Sequence, residues 1–104
     1  MLFHKKLYFD ERLSKSKRKV LKKLKQGTLQ LGVNIITLAL SEGDLLEIYP
    51  SYILLQKVYR RSDITVVGVA SDRDAAYELI KQMTDDCLRE TGSVDLKQFF
   101  NEEL

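Results

Sequence analysis

Cys87 is the only cysteine of the chain, so no intramolecular disulfide can staple it, and a reducing compartment is the expected setting. His4 is the only histidine. With no second imidazole and no thiolate cluster, neither a zinc site nor a histidine-based catalytic triad is expected. Pro50 is the only proline and glycines number five, too few for a collagen-like or a low-complexity chain. No apolar run approaches the roughly 18 to 20 residues of a membrane span, and the opening MLFHKKLYFDER meets charge before any signal-like apolar region develops. These absences lead to the expectation of a cytoplasmic protein with no membrane association.

With 104 residues the chain fits a single domain, 1–104, long enough to bury a core without disulfide or metal. Its formal net charge of +2 conceals a division. Through Lys25 it carries ten basic and two acidic residues, a balance of +8; the remainder carries seven and thirteen, a balance of −6.

The apolar pattern predicts an α/β fold, a small βαβαβα layer with a short, mostly parallel, three-stranded sheet. Phe3 and Leu7-Tyr8-Phe9 form a first strand, brief enough to be an edge. Ser14 caps a helix running to about Gln26, with Leu13, Val20, Leu21 and Leu24 on its inner arc and Gly27 as its terminator. Residues 33–40, VNIITLAL, and 64–70, ITVVGVA, are apolar on both faces, as central strands are. Between them, LLEIYPSYILLQKVYRR reads as a helix broken into two pieces by Pro50, because Leu45, Ile48, Tyr52, Leu55 and Tyr59 continue a three-to-four spacing across the proline; a hairpin strand at 45–49 is the competing reading. Ser71 or Asp72 caps a last long helix whose buried stripe is Ala76, Leu79, Ile80, Met83 and Cys87, ended by Gly92. On that stripe Cys87 is an inert packed thiol. Open sheet edges invite pairing with a second copy, so a homodimer is expected.

The segments NIITLALSEGDLLEIYPS, LLQKVYR, VVGVASDRDAAYELI and TGSVDLKQFF together resemble a family of short proteins of gut Firmicutes, over about residues 8–100. The resemblance implies no activity, cofactor or catalytic residue. It does imply a glycine in the turn where Asp72 stands here, and aspartate at that place argues against a phosphate-cradling loop.

Two constellations stand out. The stretch SKSKRKVLKKLKQG places Lys15, Arg18, Lys19, Lys22 and Lys25 away from the inner arc, Lys23 on its flank, and Lys17 inside it with its stem along apolar surface. No acid lies among them, and each like-charged pair such as Arg18/Lys22 or Lys19/Lys23 costs about 0.2–0.5 kcal/mol in an isolated helix. One reading is a solvated face balanced by Asp72, Asp74, Glu78, Asp85 and Asp86 elsewhere. The other, preferred as a function, is the contact surface for an anionic partner, either a protein or nucleic acid bound without sequence preference.

The second constellation is a ligand rim. If the strands ending at Leu40 and Ala70 are parallel neighbours, Glu42, Asp44, Asp72 and Asp74 converge where open α/β sheets bind ligands. Carboxylates there could hold Mg²⁺, although Asp and Ser at these places are also what helix caps require. VVGVASDRD matches neither GxGxxG nor a P-loop, so no nucleotide cofactor is expected. No catalytic motif emerges, and the chain reads as a binding module rather than an enzyme.

Overall fold

A computed structural model describes residues 2–27, 30, 32–38, 46–55 and 64–102. Strand β1 (Leu2–Phe9) leads into a short helix α1 (Glu11–Ser14) and then α2 (Lys17–Gln26). Strands β2 (Asn34–Leu38) and β3 (Leu46–Pro50) are followed by a 3-10 segment (Ser51–Leu55), strand β4 (Thr65–Ala70), and helices α3 (Arg73–Thr91) and α4 (Leu96–Glu102). The α/β class is as the pattern implies.

The sheet differs from the expectation in number and direction of strands. It has four strands in the order β1-β4-β2-β3, of which only β1 and β4 run parallel; β2 is antiparallel to both β4 and β3. The reason is the hairpin that the helical reading of 45–49 set aside. Leu46 and Ile48 pack against the apolar cluster on one face of the sheet and Tyr49 against that on the other, a period of two that the coincidental three-to-four spacing masked. Tyr49 hydrogen-bonds Glu47 two residues back, on the same face. Pro50 closes the edge strand, where its missing N–H costs no ladder bond.

Register decides which residues meet. Phe9, Val69, Ile35 and Tyr49 form one row across all four strands, and all four belong to the apolar cluster that also holds Val20 and Leu24 of α2. The adjacent row, Tyr8, Gly68, Ile36 and Ile48, faces the opposite way, toward the cluster of Ala76, Leu79, Met83 and Cys87 of α3 with Leu96, Phe99 and Phe100 of α4. The result is a three-layer arrangement: α2 on one side of the sheet, α3 and α4 on the other. Gly68 lies where space is shortest, since a Cβ there would stand 2.8 Å from the Met83 methyl and 3.0 Å from Ile36 Cδ1.

The helix ends show which sequence signals act. Asp72 caps α3, its carboxylate accepting the Ala75 N–H at 2.7 Å, and Gly92 ends it in the left-handed conformation, φ 74°. Gly27 does the same for α2 at φ 70°. Ser14, by contrast, is not an N-cap. The helical path starts earlier, at Asp10, whose carbonyl accepts the Leu13 and Ser14 N–H groups, and it is interrupted so that α2 begins after Ser16. The Ser14 hydroxyl turns back to the Glu11 carbonyl at 2.8 Å, the local competition for backbone groups that makes serine a helix interrupter.

The C-terminal helix is pinned to β1. His4 is buried, 3% exposed, and its ring stands edge-on to Phe100. Nδ1 accepts the Lys6 N–H at 3.0 Å, so Nε2 carries the proton and donates to the Phe100 carbonyl at 2.7 Å. The ladder register slips between Phe3 and Tyr8, a bulge that makes room for this contact. Among the described residues no helix is long and apolar enough to cross a membrane.

Candidate anionic-partner surface

α2 buries Val20 and Leu24 and leaves Leu21 half-buried, an apolar stripe only one or two side chains wide. All the rest of the helix is charge or amide. Lys15, Lys17, Arg18, Lys19, Lys22 and Lys25 are exposed, and Lys23 is half-buried on the flank. Lys15 belongs to the C-terminal end of α1, so the charged surface spans the break at Ser16. The first turn of α2 contains no acid, so its cations also oppose the positive end of the helix dipole.

Two of the cations have a neighbour in β1. Lys17 Nζ stands 5.4 Å from the centre of the Phe9 ring and Lys25 Nζ 5.5 Å from that of Phe3. α2 therefore runs back along β1, and stems that would otherwise cover nothing shield the aromatic side of the edge strand. With the described residues none of the seven cations from Lys15 to Lys25 forms an ion pair. The described ion pairs lie elsewhere: Lys6 with Glu90, Arg12 with Asp72, Lys81 with Glu78 and Arg89 with Asp86. The acids of α3 are on the far side of the sheet, so within one molecule they do not neutralise α2.

The parallel pairing on which the ligand rim was expected to form is absent: β2 and β4 are antiparallel neighbours. Because β2 and β4 are antiparallel, Asn34 pairs with Ala70, and the end of β2 at Leu38 lies at the opposite end of the sheet from Ser71 and Asp72. Glu42 and Asp44 lie outside the described residues. The neighbour that does meet Ser71 is Asp10, from the parallel strand β1: the Ser71 hydroxyl donates to the Asp10 carboxylate. Arg12 reaches Asp72 at 3.4 Å, and Asp74 follows in the first turn of α3. An open groove of about 1120 Å³ runs from there along α1 and α3, past Tyr77 and Glu78. Each carboxylate in it with a stated partner has a structural task, and among the described residues no group of three His, Cys, Asp or Glu side chains is placed to hold a metal ion. Asp10 was legible only through topology, since nothing in its local sequence sets it apart from an ordinary helix-starting aspartate.

Three further polar groups are structural. Cys87 is fully buried and its thiol donates to the Ser93 carbonyl at 3.2 Å, as an inert packed thiol would. His4 is a core residue of the β1–α4 joint. Tyr8 donates to Asp86 at 2.6 Å, and Asp86 also accepts from Arg89 at 2.9 Å. Burial foremost, then the hydrogen bond to Asp86 and the negative charges of Asp86 and Glu90, push the Tyr8 phenol above its ordinary value of 10.0.

No family model, curated protein or solved structure matches this chain. The class to which fold and surface assign it is a small α/β sandwich with one basic helix that has no ion-pair partner among the described residues.

Proposed function

We propose that this protein is a non-catalytic binding module that engages an anionic partner through α2. One observation carries the reading: seven cations, Lys15 to Lys25, have no acidic partner among the described residues, and those of α2 lie across the sheet from α3. A helix that accepts like-charge repulsion and an adverse dipole gives up stability, and an anionic ligand returns it on binding. Contacts of this kind recognise charge and not sequence. A buried free thiol fits a reducing, cytoplasmic setting.

Titration of fluorescein-labelled linear polyphosphate and polyglutamate by anisotropy tests the reading. Micromolar binding is expected at about 50 mM salt, weakening steeply by about 200 mM. It should be lost in the triple variant Lys15→Glu, Lys19→Glu, Lys22→Glu. Absence of binding to either polymer at the lower salt, or binding that survives the triple variant, removes α2 as the contact surface.

We also infer self-association through β3, the regular edge of the sheet; the other edge, β1, is interrupted by its bulge. Sedimentation velocity would show a dimer that dissociates on dilution. A monomer at every concentration disposes of the inference.

A further inference from the structure

The surface beside α2 carries more than charge. Strands in a sheet lie about 4.8 Å apart, so Phe9 on β1 and Tyr49 on β3, in one row, are separated by about 14 Å. Lys17 stands over the Phe9 end of that row. From the Tyr49 end the chain passes through Pro50 and Ser51 into the 3-10 segment, where Tyr52 is 55% exposed. The helical reading made Tyr52 a core position; the strand at 46–50 turns it outward instead.

This segment is tied to α2. The Ser51 hydroxyl donates to the Gln30 carbonyl at 2.8 Å, and the Gln30 side-chain amide donates to the Val20 carbonyl in the middle of α2 at 3.4 Å. Ile53 packs in the same apolar cluster as Val20 and Leu24. At about 100° per residue, Lys19 and Lys23 project from the flank of α2 opposite Lys17 and Lys25. Since Lys17 and Lys25 lean over β1, the outer strand, the opposite flank of α2, with exposed Lys19 and half-buried Lys23, lies on the side of the inner strands.

We propose that the anionic partner of α2 is a single-stranded nucleic acid, its phosphates held by Lys19, Lys23 and their neighbours and a base stacked on Tyr52. The inference rests on the α2 reading above and adds the chemistry of the ligand. Cations on α2 and an exposed aromatic ring on the segment bonded to it through Gln30 suit a polymer that alternates anionic backbone with flat π faces. An acidic peptide offers carboxylates but no π face for the ring. A duplex keeps its bases stacked inside, so only an unpaired strand can present one to Tyr52.

The experiment compares three probes on the full chain by fluorescence anisotropy at about 50 mM salt. They are an oligodeoxythymidylate of about 12 nucleotides, within the range of single-strand site sizes, an abasic oligomer of equal length and charge, and a duplex of equal length. The base-bearing strand should bind about fivefold or more tightly than the abasic one. Tyr52→Ala should abolish that difference, and Tyr52→Phe should preserve it. Equal affinity for base-bearing and abasic strands, a preference for duplex, or a difference that survives Tyr52→Ala overturns the stacking inference and leaves α2 as a polyanion surface. Binding to none of the three, nor to polyphosphate, overturns both.

Discussion

The two helical faces of this sheet are built to different rules. On the α3/α4 side both ends of α3 and several charges are answered: Asp72 caps α3, Gly92 ends it, Glu78 and Asp86 pair with Lys81 and Arg89 one turn on, and His4 and Tyr8 of β1 bond to Phe100 and Asp86. On the α2 side the first turn lacks an acid, the Ser16 cap makes no side-chain hydrogen bond, and the cations have no described counter-ion. One face is arranged for stability and the other leaves its charge unspent. Where a small fold tolerates such a mismatch over a whole helix, the surface is the place to look for a partner.

The contrast can be tested from its strongest element downward. Phe100 is fully buried and meets the rings of His4, Phe99 and Tyr8 edge-on, so Phe100→Ala should cost about 3–5 kcal/mol in denaturant unfolding. A loss below about 1 kcal/mol would mean that α4 is not part of the core. Gly68→Val drives a side chain into Met83 and Ile36 and should cost about 1–3 kcal/mol, read from the same curves. Asp72→Ala removes the α3 cap and should cost about 1 kcal/mol, seen as a lower melting temperature; the contact with the exposed Arg12 adds little to that.

Tyr8 gives the same face a pH dependence. Its phenol is raised in the fold, so below pH 10 it is neutral folded or unfolded and its contribution is complete. As pH rises past 10 the unfolded chain ionises first, and that contribution is lost. Wild-type stability should therefore fall more between pH 9 and about 11 than that of Tyr8→Phe, with one of the five tyrosines titrating late in absorbance at high pH. Parallel stability curves for the two proteins would show that Asp86 does not hold the phenol.

The smallest effect has the opposite sign and belongs to α2. Arg18→Glu places an acid at the positive end of the helix and relieves repulsion with Lys22, so it should stabilise the protein by about 0.5–1 kcal/mol while weakening polyanion binding. Destabilisation on this exchange would show that the charge of α2 is already answered within the fold.

Much of this was written in local chemistry. The α/β class, the two buried strands, the cap at Asp72, the stop signals at Gly27 and Gly92 and the buried stripe of α3 all follow from periodicity and capping. So does the exposure of the basic face, because seven cations cannot be buried without partners. Residues 46–50 were the point of failure, since a five-residue run offers too few repeats to separate a period of two from one of 3.6, and a proline near its end suits a helix break as well as an edge strand.

From the sequence alone came the first and the two central strands, the two longer helices with their inner faces, and the concentration of positive charge in the first 25 residues, because each depends on neighbours a turn or two away. The tertiary structure alone decided strand order and direction. It thereby set Asp10 beside Ser71, buried His4 against Phe100, put the acids of α3 and the cations of α2 on opposite sides of the sheet, and turned Tyr52 outward near α2. The physical reason is that pairing between strands is fixed by which distant apolar faces cover one another, and no local pattern carries that information.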